Sequence, residues 1–541
     1  MKKSLLLLIV FSYTMGVYSQ GVENELHAFY KERSELVRPI VENHSIPLYQ
    51  NLNISNQVAP QNEPSVRISR KDPQTVVAAW RDFREGWQEP NVVRRIGYTY
   101  SHDGGQTWAE SQLLPDPMPD HLSQSDPVVT SDTSGHFYIS STSRQPVTNY
   151  NREMLLYKSV DDGVTFDLHA IAVPGSGAMG EDKEWIFHDP VETNPTHNNI
   201  FIVWRSFGPS YGIKFRKSAD NGTTWSNTVA VSDAGFGQGA NVASGVNGEI
   251  YTVWLGGGIM FDVSYDGGET FGTDKSISFV YENDYYSFPF ICVDYSNKPS
   301  RGNIYVVYAD NREGTEDIWL QRSEDGGETW LANPIRVNDD ASNDQYWPMM
   351  QSDLDGNLAV VYYDERTQPG VMNAYLAYSE DQGNTWINTR LSNDHFYGNM
   401  PNSNVRFGDY ICLDFYDGKI IPVWTDDRTF NYDQEIYSAV IDINTGISVP
   451  SGIASGHTLY QNYPNPFREK TEIAFYLDAS GKTRIDIYNI MGERVETLLD
   501  KDIPPGRHTL AWQPDKLPAG VYICRFTHKQ DVISKQMTYL R

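Results

Sequence analysis

The sequence predicts an all-β molecule, a seven-bladed β-propeller with a small C-terminal β-sandwich, and three observations predict it. Six nearly identical octapeptides, starting at Ser101, Ser159, Ser218, Ser264, Ser323 and Ser379, recur about 46 to 59 residues apart, a spacing that suits one small sheet per repeat. A second repeat of strand-like segments runs in phase with them and adds a seventh unit. Of the 541 residues 13% are aromatic and Gly, Asn and Asp are abundant, as a turn-rich all-β chain requires.

The chain opens with an address label. Lys2 and Lys3 precede the apolar run Leu5 to Phe11, and Val17-Tyr-Ser19 places a small residue before the expected cut. Residues 1–19 therefore read as a signal peptide, too short to span a bilayer stably, with the mature chain starting at Gln20. No cysteine follows the cut, which argues against a lipoprotein anchor. Residues 20–50 read as an N-terminal extension.

Residues 51–445 carry the repeats. In Ser101-His-Asp-Gly-Gly-Gln-Thr-Trp108 and its copies, glycine supplies the positive φ of a turn, the aspartate can accept from backbone amides within it, and the closing Trp or Phe is an apolar anchor. The preceding Ile96-Gly-Tyr-Thr-Tyr100 alternates apolar and polar as a half-buried strand does, so each copy predicts a β-hairpin. The pattern Ser-x-Asp-x-Gly-x-Thr-Trp/Phe resembles the Asp box of sialidase-like β-propellers. That resemblance implies the fold; because such boxes are structural turns, it says little about a reaction.

The second repeat counts the blades. Val76 to Trp80, Phe137 to Ser140, Phe201 to Trp204, Ile250 to Trp254, Ile304 to Tyr308 and Leu358 to Tyr362 precede the six boxes, and Ile420 to Trp424 adds a seventh segment. It leads into Glu435-Ile-Tyr-Ser438, where the box has been lost. This last unit has three clear strands, while Leu52-Asn-Ile-Ser-Asn-Gln57 is strand-like and unclaimed, so the N-terminal segment is expected to complete the last blade and close the ring.

After a Gly/Ser-rich linker at 446–456, a separate β module occupies 457–541. Its strands read Thr471 to Leu477, Thr483 to Asn489, Arg507 to Trp512 and Gly520 to Phe526. Gln461-Asn-Tyr-Pro-Asn-Pro-Phe467, Ile487-Tyr-Asn-Ile-Met-Gly492 and Leu517-Pro-Ala-Gly-Val-Tyr522 resemble the C-terminal sorting domain of the type IX secretion system. The resemblance implies a secreted or cell-surface protein with the type IX machinery as a partner.

Composition narrows the ligands. A net charge of −27 repels nucleic-acid phosphates and anionic lipid, so neither nucleic acid nor membrane insertion is expected, and an anionic substrate would need a locally basic pocket. Three cysteines exclude a disulfide framework, and no Cys or His spacing resembles a zinc site. Cys292 and Cys412, in matching Ile-Cys-Val-Asp and Ile-Cys-Leu-Asp contexts, read as small buried residues on inner strands. No cofactor is required, a structural divalent cation is left open, and a monomer is expected.

Strand order locates the site. If each box joins the third and fourth strands of a blade, the opposite face receives the entries of first strands and the exits of second strands. Arginines, tyrosines, histidine and carboxylates arrive there, a ring suited to an acidic sugar. The recurrent Asp-x-Arg of Arg312, Arg366 and Arg428 reads as a repeated structural ion pair, whereas Arg205, in Trp-Arg-Ser-Phe-Gly, breaks the repeat and is a candidate for a specialised role. His121 precedes a first strand on that face, and His188 lies deeper along its strand as a packed core residue. Arg84, Arg144, Lys183, Tyr286, Tyr346 and Arg406 are the expected substrate-binding side chains, and no metal ligands are expected.

Two enzymatic readings and a binding one follow. Ser65-Val-Arg67-Ile-Ser69 resembles the Phe-Arg-Ile-Pro motif of sialidases, but lacks its aromatic residue and its proline, and sialidases have six blades. Seven blades with Asp-box-like turns resemble instead the ulvan lyases, secreted enzymes that cleave the sulfated rhamnose-uronate polysaccharide of green algae. That resemblance implies β-elimination, with Arg205 neutralising the uronate carboxylate, His121 as base and Tyr211 as acid; elimination of water from a terminal uronate would use the same groups. The substrate class is thus an acidic polysaccharide or oligosaccharide. An exo-α-sialidase type of glycoside hydrolase and a non-catalytic glycan-binding propeller remain the alternatives.

Overall fold

The computed structural model describes residues 49–541 apart from 89–90, 116–122, 145–151, 176–179, 209–210, 282, 284–286, 401–404, 429–433, 444–457, 460–461, 463–466, 478–479, 490–492, 505, 515–516, 530 and 541. The expected signal peptide, nearly all of the expected N-terminal extension, the expected linker, His121 and Tyr286 lie outside the described residues. The chain divides into two compact units, one built from the blade repeats and one from the C-terminal module.

Seven antiparallel sheets make the first unit. Their strands are Gln61–Ile68, Val76–Asp82, Arg95–Ser101 and Gln112–Leu113 in blade 1; Ser123–Ser131, Phe137–Arg144, Arg152–Ser159 and Asp167–Val173 in blade 2; and Glu181–His188, Ile200–Ser206, Gly212–Ser218 and Val229–Ala230 in blade 3. Blade 4 holds Gln238–Ser244, Ile250–Leu255, Ile259–Ser264 and Lys275–Ser278; blade 5 holds Phe290–Val293, Ile304–Asp310, Asp317–Ser323 and Ile335–Arg336; blade 6 holds Gln345–Ser352, Leu358–Gln368, Val371–Ser379 and Ile387–Arg390. Blade 7 combines Cys412–Tyr416, Lys419–Asp426 and Glu435–Ser438 with Leu52–Asn53 from the N-terminal side. Leu52 pairs with Ser438 and Asn53 with Tyr437, which closes the ring as the spare strand predicted. Each first strand packs against those of the neighbouring blades, and that of blade 1 meets that of blade 7.

The third strand ends on the first serine of the octapeptide in all six blades that have one. In the fourth copy the Asp266 carboxylate accepts from the Thr270 amide at 2.9 Å and its hydroxyl at 2.6 Å, while Ser264 Oγ accepts from the Gly268 amide at 2.8 Å. Gly268 has φ 86, and a Cβ there would lie 2.4 Å from Phe215 of the preceding blade, so glycine serves both the turn and the packing between blades. Apolar layers fill the spaces between sheets: Val77, Ile96 and Tyr98 of blade 1, for example, pack with Val129, Phe137, Leu155 and Tyr157 of blade 2. The second-strand tryptophans Trp80, Trp204, Trp254 and Trp424 are fully buried, each a position where truncation to alanine costs about 3–5 kcal/mol. Cys292 and Cys412 are buried free thiols on inner strands.

The second unit pairs two sheets. Thr458–Leu459, Thr471–Leu477 and Gly506–Trp512 form one; Arg494–Ile503, Gly481–Asn489, Gly520–His528 and Asp531–Tyr539 form the other. Phe475, Leu477, Ile485, Ile487, Trp512, Phe526 and Met537 form its core.

Candidate functional site

The face opposite the octapeptide turns is shaped by one local device. Shortly after each of five first strands begins, the register with the second strand slips: between Asn62 and Ser65, Ser125 and Val128, Asp182 and Trp185, Gln238 and Asn241, and Tyr346 and Met349. The first slipped residue has positive φ in every case, at Glu63 (56), Asp126 (57), Lys183 (48), Gly239 (65) and Trp347 (53). In blades 1, 2 and 6 the next residue is proline, Pro64, Pro127 and Pro348, which has no N–H to lose from the ladder. A bulge re-aims a side chain, and a non-glycine residue in the left-handed region costs about 1–2 kcal/mol, so Glu63, Asp126 and Lys183 hold costly conformations at the axial mouth. Gly408, just before blade 7, makes room for Glu63: a Cβ there would sit 3.0 Å from Glu63 Cγ.

The bulged residues line a cavity of about 130 Å³ with Arg81, Arg94, Arg144, Arg152, Asp182, Arg406 and Asp409. Six cationic side chains thus face four carboxyls, a local excess of positive charge in a chain of net charge −27. Arg81 bonds Glu63 at 2.8 Å and donates to Asn62 Oδ1 at 2.6 Å; Arg152 pairs with Asp182, whose other oxygen accepts from Gln238 Nε2 at 3.0 Å. Burial pushes the Glu63 carboxyl up to about 8 despite Arg81, with Asp126 and Asp409 adding to the rise. Burial likewise raises Asp182 and Glu184 and lowers Arg94 to about 10.

Lys183 is held differently. Its ammonium lies 3.6 Å from the centre of the Tyr410 ring, with Trp185 at 5.8 Å and Phe288 at 5.9 Å, and it has no hydrogen-bond partner among the described residues. Aromatic faces stabilise the charge without using its N–H donors, so the donors remain available to a ligand. The Tyr410 hydroxyl is also buried without a partner among those residues, and burial raises its pKa well above the ordinary phenol range.

Of the side chains expected from sequence, Arg144, Lys183 and Arg406 meet in this basin. Arg205 does not line it; it occupies the position in blade 3 that Arg81 holds in blade 1, and its guanidinium lies 5.0 Å from the Phe207 ring. Tyr211 is half-buried and packs beside Gly235. Tyr346 is fully buried, with its hydroxyl donating to Glu365 at 2.7 Å. Arg84 forms the same two-residue ion pair, to Asp82 at 2.7 Å, that Arg312, Arg366 and Arg428 form with Asp310, Asp364 and Asp426, and so belongs to that repeat. Arg67 lies at the far end of its strand, near Asp414 and Arg70, and lines a separate cavity of about 550 Å³ at the octapeptide end of the axis. Arg94 and Arg152 escaped the sequence reading because third strands also begin on the site face. Glu63 was expected on this face as part of the Asn62-Glu63 strand entry, and Asp126 could have been found from the Asp126-Pro127 pair at the next one.

Among described residues no group of three or more His, Cys, Asp or Glu is arranged to hold a metal ion. No curated protein matches the sequence. Three solved structures share a general likeness: a protein of unknown function from Dyadobacter fermentans (13% identity, 73% of this chain and 98% of that one, TM-score 0.42), a leech intramolecular trans-sialidase (14%, 66% and 70%, 0.43) and an α-L-arabinanase from Penicillium chrysogenum (14%, 74% and 99%, 0.41). At these scores none bears on the chemistry of the basin. Residues 99–110 match the BNR/Asp-box repeat model, and residues 461–539 match the secretion system C-terminal sorting domain. The chain is therefore an Asp-box β-propeller that carries a type IX sorting domain and is delivered to the cell surface or beyond it.

Proposed function

We propose that the protein is a secreted carbohydrate-active enzyme acting on acidic, uronate-containing glycans, and that it works by β-elimination of the ulvan lyase or related dehydratase type. The observation that carries this reading is Lys183: a buried ammonium in a strained conformation, stabilised by three rings and making no hydrogen bond among the described residues. A substrate carboxylate supplies the missing partner, aided by neighbouring arginines. Neutralising that carboxylate acidifies the adjacent C5–H. Glu63, raised to about 8, is a strong base once ionised and takes that proton; the C4–O bond breaks as the C4–C5 double bond forms. Tyr410, whose ring packs against the Lys183 ammonium, keeps its proton through this pH range and donates it to the leaving oxygen. These assignments replace the sequence-based trio of His121, Arg205 and Tyr211.

Glycoside hydrolysis is the second reading, favoured by the presence of Glu63, Asp126, Asp182 and Asp409 in one recess. Incubation with ulvan, other uronate polysaccharides and sialoglycans separates the two. New ultraviolet absorbance from an unsaturated uronate supports elimination; reducing ends or free sialic acid without absorbance support hydrolysis; binding without product leaves a glycan-binding propeller. The pH limb is a second discriminator: with Glu63 as base the rate climbs as pH rises through about 8, and with Glu63 as general acid it falls there.

A further inference from the structure

Two exposed aromatic rings lie on the site face outside the basin. Phe279 follows directly on the fourth strand of blade 4, whose last residue Ser278 pairs with Ile259 at the start of the third strand, so the strand exits on the site face. Phe279 is 67% and Tyr281 56% exposed, and the rings meet edge to face with centroids 5.3 Å apart. They are held in place from the next blade: Arg312 donates to the Phe279 carbonyl at 3.2 Å and its guanidinium lies 5.5 Å from the centre of Tyr281, while Asp310 fixes Arg312 at 2.7 Å. Large rings exposed on a rigid mount are uncommon on a surface with no partner. Asn283, two residues after Tyr281, donates to the Ser287 carbonyl at 3.0 Å and accepts from its amide at 2.8 Å, and the adjoining Phe288 lines the basin and faces Lys183. Phe236, 59% exposed, stands two residues before Gln238, which also lines the basin.

We propose that Phe279 and Tyr281 form a stacking platform for sugar residues of the same glycan beyond the one held in the basin, so that the protein prefers chains over short fragments. The inference rests on the reading of the basin as a uronate site. A pyranose presents an apolar face of C–H groups that an exposed ring covers, and the tie from Asn283 through Ser287 to Phe288 in the basin makes the rest of the bound glycan the occupant. A platform of neutral rings also accepts uronate, sulfated or neutral sugars alike, leaving charge recognition to the axial arginines and Lys183.

The test is a binding ladder of uronate oligosaccharides, from the disaccharide to the parent polymer, measured calorimetrically on the full chain, on F279A and Y281A, and on K183M. The expected result is tighter binding of longer chains by the unmodified protein, a loss of about threefold to tenfold for long ligands in F279A and Y281A with the disaccharide unaffected, and weakening at every length in K183M. Length dependence absent from the unmodified protein, or unchanged in both aromatic variants, overturns the platform and leaves the basin standing. No binding at any length by the unmodified protein overturns the reading of the basin and the platform with it. Both rings are exposed, so unchanged thermal unfolding of F279A and Y281A is the control for folding.

Discussion

The rim and the centre of the site face use arginine in opposite ways. At the rim, Arg84, Arg312, Arg366 and Arg428 each bond an aspartate two residues earlier at 2.5–2.8 Å, and each aspartate side chain is fully buried. Several carry a second clamp, such as Arg366 over Tyr375 at 4.0 Å and Arg428 over Tyr437 at 4.1 Å. These charges are matched inside the protein and serve as fasteners of the blade edge. At the axis, cations exceed carboxyls, and the Lys183 ammonium rests against three rings with no hydrogen bond among the described residues. The same residue type on one face is thus structural where its counter-charge comes from its own strand and available for ligands where the counter-charges fall short.

Four measurements can break or sharpen that contrast. The largest effect is expected at the axis: K183M should cost about 100-fold or more in turnover or glycan affinity while the unfolding temperature holds or rises, since a buried cation in a strained conformation, with no hydrogen bond among the described residues, is removed. A fall of several degrees with binding intact would make Lys183 a fastener too. Next is the rim, where R366M leaves the buried Asp364 carboxylate without its guanidinium; a loss of about 3–5 kcal/mol in denaturant unfolding with glycan binding unchanged is expected.

The third concerns Glu63. The folded state keeps its proton to about 8 whereas an ordinary glutamate releases it near 4.5, so its contribution to stability is full below 4.5 and is lost as pH rises to about 8. In E63Q the stability curve should lose that slope, and unfolding midpoints followed from acid to pH 8 check it; parallel curves for the two proteins would remove Glu63 from the titration. The smallest effect belongs to the opposite face. Thr270 donates to Asp266 and holds it at about 2, below the ordinary 3.8, so its contribution is present above 3.8 and lost as pH falls through about 2. D266N should cost about 1 kcal/mol or less because the box is solvent-screened, with no change in glycan binding. A basin effect in D266N would mean that the two faces are coupled.

Much of the fold was legible because it is written in local chemistry. The Ser-x-Asp-x-Gly-x-Thr turns need particular residues at fixed spacing, and the Trp-ended second strands need buried apolar runs, so both repeat in the sequence as they do in space. Closure by Leu52 and Asn53 was legible from a spare strand and a blade lacking one. The site was only partly so. Arg144, Lys183 and Arg406 were found because entries and exits were counted, but burial and pairing come from residues hundreds of positions apart: Asn62 Nδ2 donates to the Arg406 carbonyl at 2.6 Å, a contact no local pattern announces. Arg84 and Tyr346 had the right residue types at the right ends of strands, and only the partners Asp82 and Glu365 reveal their internal roles.

The pairing of Leu52–Asn53 with Glu435–Ser438 also sets an order of events. Glu63 and Arg81 come from the first blade, Arg406 and Asp409 from the last, and they share one recess only after the ends of the ring have joined. Contacts of such long sequence separation form late and slowly. A chain cut short before the seventh blade can fold its early sheets, yet it lacks Arg406 and Asp409 and leaves the recess open on that side. Completeness of synthesis is thereby a precondition of binding, and the ring acts as its own proofreading step.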